Sequence, residues 1–280
     1  MKTDLFVSFV LLEYNSLEDI APCIASIREK TQGIAHEVIV SSNSNYPAEK
    51  QSLIAGDDPS VKWVFNTGNL GFAGGMNSGI RNTSRSSGFI VIMNQDVRIV
   101  SNKFGEVLNY FRSHPETGII GTRIINKEGE LQDTFRKFIT PHSLVQRQLK
   151  RIYHNQQVVF EYEDHSSAIP VDWVCGGFMV IARDVIDSVG LLDENYFLYV
   201  EDMDWCYRVK LSGKEVVYYP MFTVEYQGDR KSIKFLLTQK LPTKYFTYHL
   251  RSYFYFLRKN RLFSRKNLYR KLNRNKMVTR

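Results

Sequence analysis

Short runs of apolar, largely β-branched residues recur through the first 125 residues, and they limit the folds open to this chain. The runs are LFVSFVLL (5–12), EVIVS (37–41), VKWVF (61–65), GFIVIMN (88–94) and GIIGTRII (118–125). Stretches of helical periodicity lie between several of them, and one places Ile20, Ile24 and Ile27 on the same helix face. Nearly continuous apolar strands that alternate with amphipathic helices are typical of a mostly parallel sheet covered on both sides. The sequence therefore predicts an α/β fold whose residues 1–125 form a nucleotide-binding half.

The composition is that of an ordinary globular protein, with 43% hydrophobic and 24% charged residues among 280. Its three cysteines, Cys23, Cys175 and Cys206, are widely separated and form no Cys-x-x-Cys pair. This pattern argues against a disulfide framework and against a cysteine zinc site, and it fits a reducing compartment. The first apolar run is too short for a secretory signal, and no stretch reaches the ~20 apolar residues that cross a bilayer. We therefore expect a cytoplasmic protein.

Charge is divided unevenly along the chain. All 29 acidic residues lie within 1–229, whereas residues 230–280 contain 16 of the 37 lysines and arginines. Within the predicted basic tail, which we place at 233–280, four apolar residues share one helical face: Phe246, Leu250, Tyr253 and Leu257. Such a helix suits an anionic membrane surface, and packing of its first half against the catalytic domain is the alternative. Nucleic-acid binding is not expected, because the acidic body would repel phosphates.

A glycine-rich segment, NTGNLGFAGGMNSGI (66–80), follows the third apolar run. Its spacing is not the Gly-x-Gly-x-x-Gly of dinucleotide sites, and no Gly-Lys-Ser/Thr follows as in a phosphate loop. A glycine-lined turn with free amides at a helix start allows a flat or charged ligand to touch the backbone. The alternative is a tight turn that packs against the neighbouring strand.

Two further segments carry oxygen ligands. IVIMNQDV (90–97) ends an apolar strand in Asn-Gln-Asp, and a carboxylate at this edge of the sheet suits Mg²⁺ or Mn²⁺ on a diphosphate. The alternative to a metal ligand is that Asp96 simply begins a loop. LLDENYFLYVEDMDW (191–205) places five acidic residues among aromatic ones. Aromatic faces with carboxylates suit a sugar, and one carboxylate could take a proton from an attacking hydroxyl. Interaction of the acids with a helix start is the simpler explanation for part of this cluster.

Taken together and in order, these motifs over about residues 4–232 resemble family 2 of the glycosyltransferases, especially its rhamnosyltransferase-like branch. VSFVLLEYNSLEDIAPCIASI resembles the family's first strand, Tyr-Asn pair and first helix. The glycine segment resembles its Asn-x-Gly-Phe-Ala-Gly-Gly-x-Asn-x-Gly motif. MNQDV stands where Asn-Pro-Asp or Asp-x-Asp occurs, and residues 176–220 match the long second signature.

The resemblance implies a nucleotide-diphospho-sugar transferase (A-type glycosyltransferase) fold and an inverting transfer. Asp96 would hold Mn²⁺ or Mg²⁺, and Asp202 would be the base, with Asp204 as the alternative and Glu201 beside them. The donor would contact residues from the ends of three strands and from the glycine segment, namely Tyr14, Asn15, Ser42, Asn43, Gly71, Phe72, Gly74, Gly75, Asn77, Asn94 and Gln95. The acceptor would contact Trp173, Gly176, Gly177 and Trp205.

Three places depart from the family pattern. Ser41, Ser42 and Asn43 stand where the family usually has an aspartate that reads the nucleobase, so dTDP-linked and UDP-linked donors both remain open. Asn94 offers a neutral ligand at the first position of Asp-x-Asp. Glu225 stands where the family often has a metal-binding histidine, and a carboxylate can replace imidazole on Mg²⁺ or Mn²⁺.

We therefore expect a catalytic domain at 1–232, with an acceptor half at 126–232, followed by the tail. The enzyme would transfer a sugar, with rhamnose a candidate, to a glycan or lipid-linked acceptor at the inner face of the cytoplasmic membrane. Its product would belong to a cell-surface polysaccharide. The alternative is a catalytically silent subunit that binds sugar nucleotides or acts as a scaffold.

Overall fold

The structure, a computed structural model, describes residues 6–140, 162, 164–228 and 244–261. The strands are β1 (Val7–Glu13), β2 (His36–Ser42), β3 (Val61–Phe65), β4 (Phe89–Asn94), β5 (Val97–Ile99), β6 (Thr117–Ile125), β7 (Phe135–Arg136), β8 (Ile169–Val171), β9 (Trp173–Val174), β10 (Phe178–Ala182) and β11 (Glu215–Tyr226). The helices are α1 (Ile20–Lys30), α2 (Ala48–Asp57), α3 (Gly71–Arg81), α4 (Phe104–Ser113), α5 (Arg183–Val189), α6 (Glu201–Leu211) and α7 (Lys244–Asn260). Parts of the predicted acceptor half and tail lie outside the described residues: 141–161, 163, 229–243, 262–280 and the side chains of Lys244 and Phe246.

Within the described residues, nine strands form one mixed sheet in the order β3-β2-β1-β4-β10-β6-β11-β5, with β8 beside β11. Strands β3, β2, β1 and β4 are parallel, as their alternation with helices predicts. Strand β10 lies antiparallel between β4 and β6, and β11 is parallel to β6 but antiparallel to β5 and β8. The sheet is therefore parallel in its first half and mixed beyond it. The predicted α/β fold is confirmed.

Alternation along β1 shows how the sheet separates two hydrophobic layers. Val7, Phe9 and Leu11 are buried on one face, in the core that α1 and α4 cover. Val10 is buried on the other face, in the core shared with α3, α5, α6 and α7. Because successive side chains of a strand point to opposite faces, one apolar run supplies both cores.

Helix α7 packs against the same layer of the structure as α3 and α6. Tyr253, Phe256 and Leu257 are buried there, and the ring of Phe256 meets that of Tyr207 edge to face at 5.7 Å. This is the packing alternative for the first half of the tail, and it uses the apolar face that the sequence indicates. No helix in the described part of the chain is both long enough and apolar enough to cross a membrane.

Candidate active site

The carboxyl ends of β1 and β4 meet beside the start of α3, and hydrogen bonds join them. Gln95, directly after β4, accepts through Oε1 from the backbone N–H of Tyr14 (2.8 Å), whose side chain is exposed. The backbone N–H of Asn94 donates to the carbonyl of Gly177 (3.1 Å). The structure thus brings four predicted site residues to one edge of the sheet, the edge where doubly wound sheets bind ligands.

Gly71 opens α3 with a backbone that only glycine adopts easily. Its φ is +74°, and a Cβ at this position would lie 2.1 Å from the carbonyl oxygen of Phe197. The same carbonyl accepts from the backbone N–H of Phe72 (2.8 Å), while the Gly71 carbonyl accepts from Nδ2 of Asn43 (2.8 Å). The ring of Phe72 covers Gly176, where a Cβ would lie 3.1 Å from it. The turn is therefore held between β2 and the segment that precedes α6.

The next glycines of α3 also face the protein itself. A Cβ on Gly75 would lie 2.4 Å from Cδ1 of Leu12, and one on Gly74 would lie 2.9 Å from Cβ of Leu70. The close approach that these glycines permit is the packing of α3 on β1 and on its own first turn. The tight-packing alternative thus accounts for them, and their contact with a donor remains a prediction.

A buried carboxylate organises the ends of β1 and β2. Glu13 has no exposed surface, and it accepts hydrogen bonds from Ser42 Oγ (2.5 Å), Ser44 Oγ (3.0 Å) and the Tyr46 hydroxyl (3.0 Å). Ser44 Oγ in turn accepts from the backbone N–H of Asn15 (2.7 Å), an exposed residue with a φ of +54°. The region predicted to read the nucleobase is therefore built around a carboxylate that motif matching did not single out.

Asp96 lies half-buried two residues beyond β4. Burial raises the pKa of its carboxyl, and the hydrogen bond from the Tyr226 hydroxyl opposes this effect. Its Oδ2 lies against Gly228, where an added Cβ would come within 2.2 Å. A poorly solvated carboxylate in a niche that a larger residue would close is suited to a small cation.

Glu225 lies on β11 opposite Arg98 of β5. Its Oε1 accepts from the side-chain amide of Gln227, whose backbone N–H donates to the Asp96 carbonyl (2.7 Å). The structure therefore places Glu225 on the strand that flanks Asp96. Among the described residues, no group of three or more His, Cys, Asp or Glu side chains could hold a metal ion by itself.

Asp202 stands in the first turn of α6, after two residues with left-handed backbones. Tyr199 and Val200 have φ values of +69° and +73°, a costly geometry for residues of this size. Oδ2 of Asp202 accepts from the backbone N–H of Gly176 (3.0 Å) and Oδ1 from that of Met203 (2.7 Å). Burial raises the pKa of Asp202, and these two amides partly offset the effect. A fixed, partly exposed carboxylate with a raised pKa has the properties of a general base.

Glu201 has a different environment. Only 4% of it is exposed, and its Oε2 has no hydrogen-bond partner among the described residues. Burial, followed by the charge of Asp202, raises its pKa well above the usual range. Both effects favour the protonated form of Glu201, whereas the amides of Gly176 and Met203 stabilise the charged form of Asp202.

Asp204, the alternative base, is completely buried and fully engaged. Its carboxylate accepts from Arg208 Nε (2.9 Å), Lys259 Nζ (2.8 Å) and the Tyr196 hydroxyl (3.2 Å). An acceptor hydroxyl cannot reach it without disrupting these bonds. The structure makes Asp204 an anchor between α6 and α7 instead.

Three more predicted site residues are core residues. Asn77 has no exposed surface, and its Nδ2 donates to the Leu192 carbonyl and to Glu194, both at 2.8 Å. Trp205 is equally buried, and the 5% exposed Trp173 donates through Nε1 to a backbone carbonyl (3.0 Å). No surface of Asn77 is left for a donor, and none of Trp205 for an acceptor. The predicted donor contact of Asn77 and the predicted acceptor contact of Trp205 are therefore wrong, because residue type alone does not show which way a side chain faces.

Arg136 is a candidate site residue that no sequence motif indicates. It pairs through Nε with Asp133 (3.1 Å), and its guanidinium lies over the ring of Trp173 (5.4 Å). Its positive charge also lowers the pKa of Asp202, which places it beside the predicted base. No motif surrounds it: it lies in the two-residue strand β7, which pairs with β9.

Comparison with known proteins shows the family and the fold of the chain. Hexosyltransferase Agl10 of low-salt glycan biosynthesis, from Haloferax volcanii, is 27% identical over 73% of this chain and 61% of its own length. Rhamnosyltransferase WbbL of Escherichia coli is 33% identical over 35% of this chain and 34% of its own. N-acetylglucosaminyl-diphospho-decaprenol L-rhamnosyltransferase of Mycobacterium tuberculosis is 23% identical over 65% of this chain and 64% of its own. The chain thus spans less than two thirds of the length of these curated relatives.

A solved structure shares the fold at low sequence identity. The crystal structure of GalNAc-T7 with UDP, GalNAc and Mn²⁺ superposes with a TM-score of 0.65 and 15% identity. The match covers 90% of this chain and 48% of that one. The family model of glycosyl transferase family 2 matches residues 8–190, which is well over half of the sequence. The chain therefore belongs to glycosyl transferase family 2.

Proposed function

We propose that the protein is a metal-dependent, inverting glycosyltransferase that transfers a hexose from a nucleotide diphosphate to a glycan or lipid-linked acceptor. The observation that carries the proposal is the geometry of Asp202. Its carboxylate is oriented by two backbone amides, has a raised pKa and lies beside the Gly176–Gly177 turn. That turn is bonded to Asn94 at the edge of the sheet where the donor is predicted to bind.

In this proposal Asp202 accepts the proton of the acceptor hydroxyl. The hydroxyl oxygen then forms a bond to the anomeric carbon on the face opposite the diphosphate, whose bond to that carbon breaks. Configuration at the carbon is therefore inverted. Asp202 suits this step better than its neighbours, because Asp204 is sealed by ion pairs and Glu201 is almost completely buried.

The residues at the end of β4 fit a divalent cation. Mg²⁺ and Mn²⁺ sites on nucleotides use one or two carboxylates together with phosphate oxygens, so a cluster of three acidic residues is not required. Asp96 would supply the carboxylate and Asn94 an amide oxygen, and Glu225, on the strand that flanks Asp96, is the candidate second carboxylate. Bound there, the cation would supply positive charge that stabilises the departing nucleoside diphosphate.

The relatives favour a particular substrate class. Two of them are named as rhamnosyltransferases, and the mycobacterial one carries the name of a diphospho-decaprenol acceptor. We infer a dTDP- or UDP-linked sugar, with rhamnose the first candidate, and an acceptor carried by a lipid in polysaccharide synthesis. The enzyme would then work at the inner face of the cytoplasmic membrane, with the basic tail in contact with lipid.

The first test is thermal stabilisation by UDP, dTDP, GDP and CMP, each with Mn²⁺ and with EDTA. A ligand at a hundred times its dissociation constant adds about 2.7 kcal/mol, which is easily measured. We expect one nucleotide to stabilise the wild type in Mn²⁺ only, and Asp96→Ala to lose this effect. A folded protein that no nucleotide stabilises would contradict the proposal.

The second test separates an enzyme from a silent subunit. Asp202→Asn should keep nucleotide binding and lose transfer by at least about a thousandfold, because the amide cannot accept the proton. Asp57→Asn, which removes an exposed carboxylate at the end of α2, is the matched control and should transfer normally. Equal transfer by both variants would exclude Asp202 as the base. Nucleotide binding without transfer by the wild type to any lipid-linked acceptor would favour the silent subunit.

A further inference from the structure

A cleft of about 680 Å³ opens between α7 and the segment 193–198, and none of the residues at the edge of the sheet described above lines it. Two arginines and several aromatic side chains dominate its lining: Arg251, Arg258, Phe197, Tyr248, Phe254 and Tyr255. The chemistry already assigned to the donor and to the base uses none of these side chains. The cleft therefore needs its own explanation.

Its charge is unbalanced. Arg251 and Arg258 are two turns apart on α7, both are exposed, and neither has an ion-pair partner among the described residues. Glu194 also lines the cleft, but its carboxylate accepts from Asn77 Nδ2 (2.8 Å) and pairs with Arg81 (2.5 Å). Two guanidinium groups thus remain available to an anion, and guanidinium groups bind phosphate oxygens in bidentate fashion.

Its apolar part is also accessible. Phe254 is 63% exposed and Phe197 37% exposed, which is high for side chains of this size. The rings of Phe197 and Tyr248 lie 4.9 Å apart and form a continuous surface. An anion attached to a hydrocarbon chain would match both the guanidinium groups and these rings.

The position of the cleft connects it to the proposed reaction. The Phe197 carbonyl accepts from the backbone N–H of Phe72 (2.8 Å), and the Phe72 ring covers Gly176. The N–H of Gly176 donates to Asp202 (3.0 Å). The cleft and the base are therefore separated by two residues, Phe72 and Gly176, that each contact the next, a span suited to a short saccharide.

We propose that this cleft binds the diphosphate of a lipid-linked acceptor, with Arg251 and Arg258 on the phosphates and the first prenyl units against Phe197, Tyr248 and Phe254. The proposal rests on the proposed function, since it assigns the acceptor of the same reaction. The acceptor sugar then extends from the diphosphate toward Asp202. Specificity for a lipid-linked acceptor would come from α7, at residues beyond the family match.

The probe is farnesyl diphosphate, and its dissociation constant is measured by isothermal titration calorimetry on the full chain. The buffer contains Mn²⁺ and a saturating nucleoside diphosphate that fills the donor site. Farnesol and inorganic pyrophosphate serve as the apolar and anionic halves. Arg251→Gln/Arg258→Gln keeps helix-forming residues at both positions while it removes two charges. Arg85→Gln/Arg112→Gln removes two exposed charges elsewhere and is the matched control.

We expect farnesyl diphosphate to bind at least about tenfold more tightly than either half, a difference of about 1.4 kcal/mol. The α7 double variant should lose at least about tenfold, and the control should bind as the wild type does. Equal binding by the two double variants would overturn the proposal, and so would equal affinity for pyrophosphate alone. If no nucleotide binds in the separate stabilisation test, the proposed function fails whatever the result with farnesyl diphosphate.

Discussion

Replacement of Lys259 by methionine is expected to lower the free energy of unfolding by about 2–4 kcal/mol. The lysine Nζ donates to Asp193 (2.7 Å) and to the completely buried Asp204 (2.8 Å). Each charge-assisted hydrogen bond contributes about 1.5–3 kcal/mol, and removal of one partner of a buried pair costs about 3–5 kcal/mol. The sum is reduced because Arg208 still pairs with Asp204 and because 26% of the lysine side chain is exposed.

The measurement is urea denaturation at neutral pH, with Arg258→Met as the matched control. Arg258 is the neighbouring residue on α7, but it is exposed and has no carboxylate partner among the described residues. Its replacement should change the unfolding free energy by less than about 0.5 kcal/mol. Lys259→Met should lower the urea concentration at the midpoint of unfolding, while the dependence of the unfolding free energy on urea concentration stays unchanged. Equal midpoints for the two variants would refute the view that Lys259 holds α7 on α6.

The same ion pair predicts a dependence on acid. Burial alone would raise the pKa of Asp193, but hydrogen bonds from Lys259 and Asn195 lower it from 3.8 to about 2. The folded state therefore gains stability that is complete above the unfolded pKa of 3.8 and is lost as the pH falls toward 2. Unfolding midpoints measured across this range should fall less steeply in Lys259→Met than in the wild type.

Two further substitutions test the geometry of the site. Gly71→Ala should destabilise by at least about 2 kcal/mol more than Gly33→Ala, since both have φ above +70° but only Gly71 faces a carbonyl, at 2.1 Å from a Cβ. Equal loss in thermal unfolding would mean that the turn relaxes freely. Glu201→Gln should gain stability over the wild type as the pH rises above about 4.5, because the folded state holds the Glu201 proton and the unfolded state releases it. A difference between the two proteins that stays constant from pH 5 to pH 8 would contradict the raised pKa.

Features set by local periodicity could be predicted from the sequence. The apolar run of β4 ends at Asn94, which predicts Asp96 at the carboxyl edge of the sheet, and the structure places it at that edge. The alternation of β1 to β4 with helices predicts that these four strands run parallel, and they do. These inferences succeed because strand pattern and side-chain direction depend on residues that are close in sequence.

Features set by distant contacts could not be predicted. The acidic and aromatic residues of α6 suggest a sugar site from the sequence alone. In the structure, α7 covers one side of that helix and the sheet covers the other, so Asp204 and Trp205 are buried and inaccessible. The partner of Asp204, Lys259, lies 55 residues away. Strand β10 enters the sheet antiparallel between two strands that precede it in sequence, and an apolar run shows nothing about its direction. Arg136 belongs to no motif, and Glu13 lies in the segment that resembles the family's first strand but has no role there; both are identified only by what they contact.

The docking of α7 also bears on where this protein can be cut. The family match ends at residue 190, before the helix that carries Asp202 and before β11, the strand that pairs with β6, β5 and β8. A fragment ending there would lose the proposed base, and one ending before residue 244 would expose the surface that covers Phe256 and leave Asp204 with one cation fewer. The smallest unit we expect to fold and react therefore extends to Asn260. For recombinant expression, the end of the fragment should therefore be chosen so that the partners of the buried Asp204 are included, and not from the end of the family match.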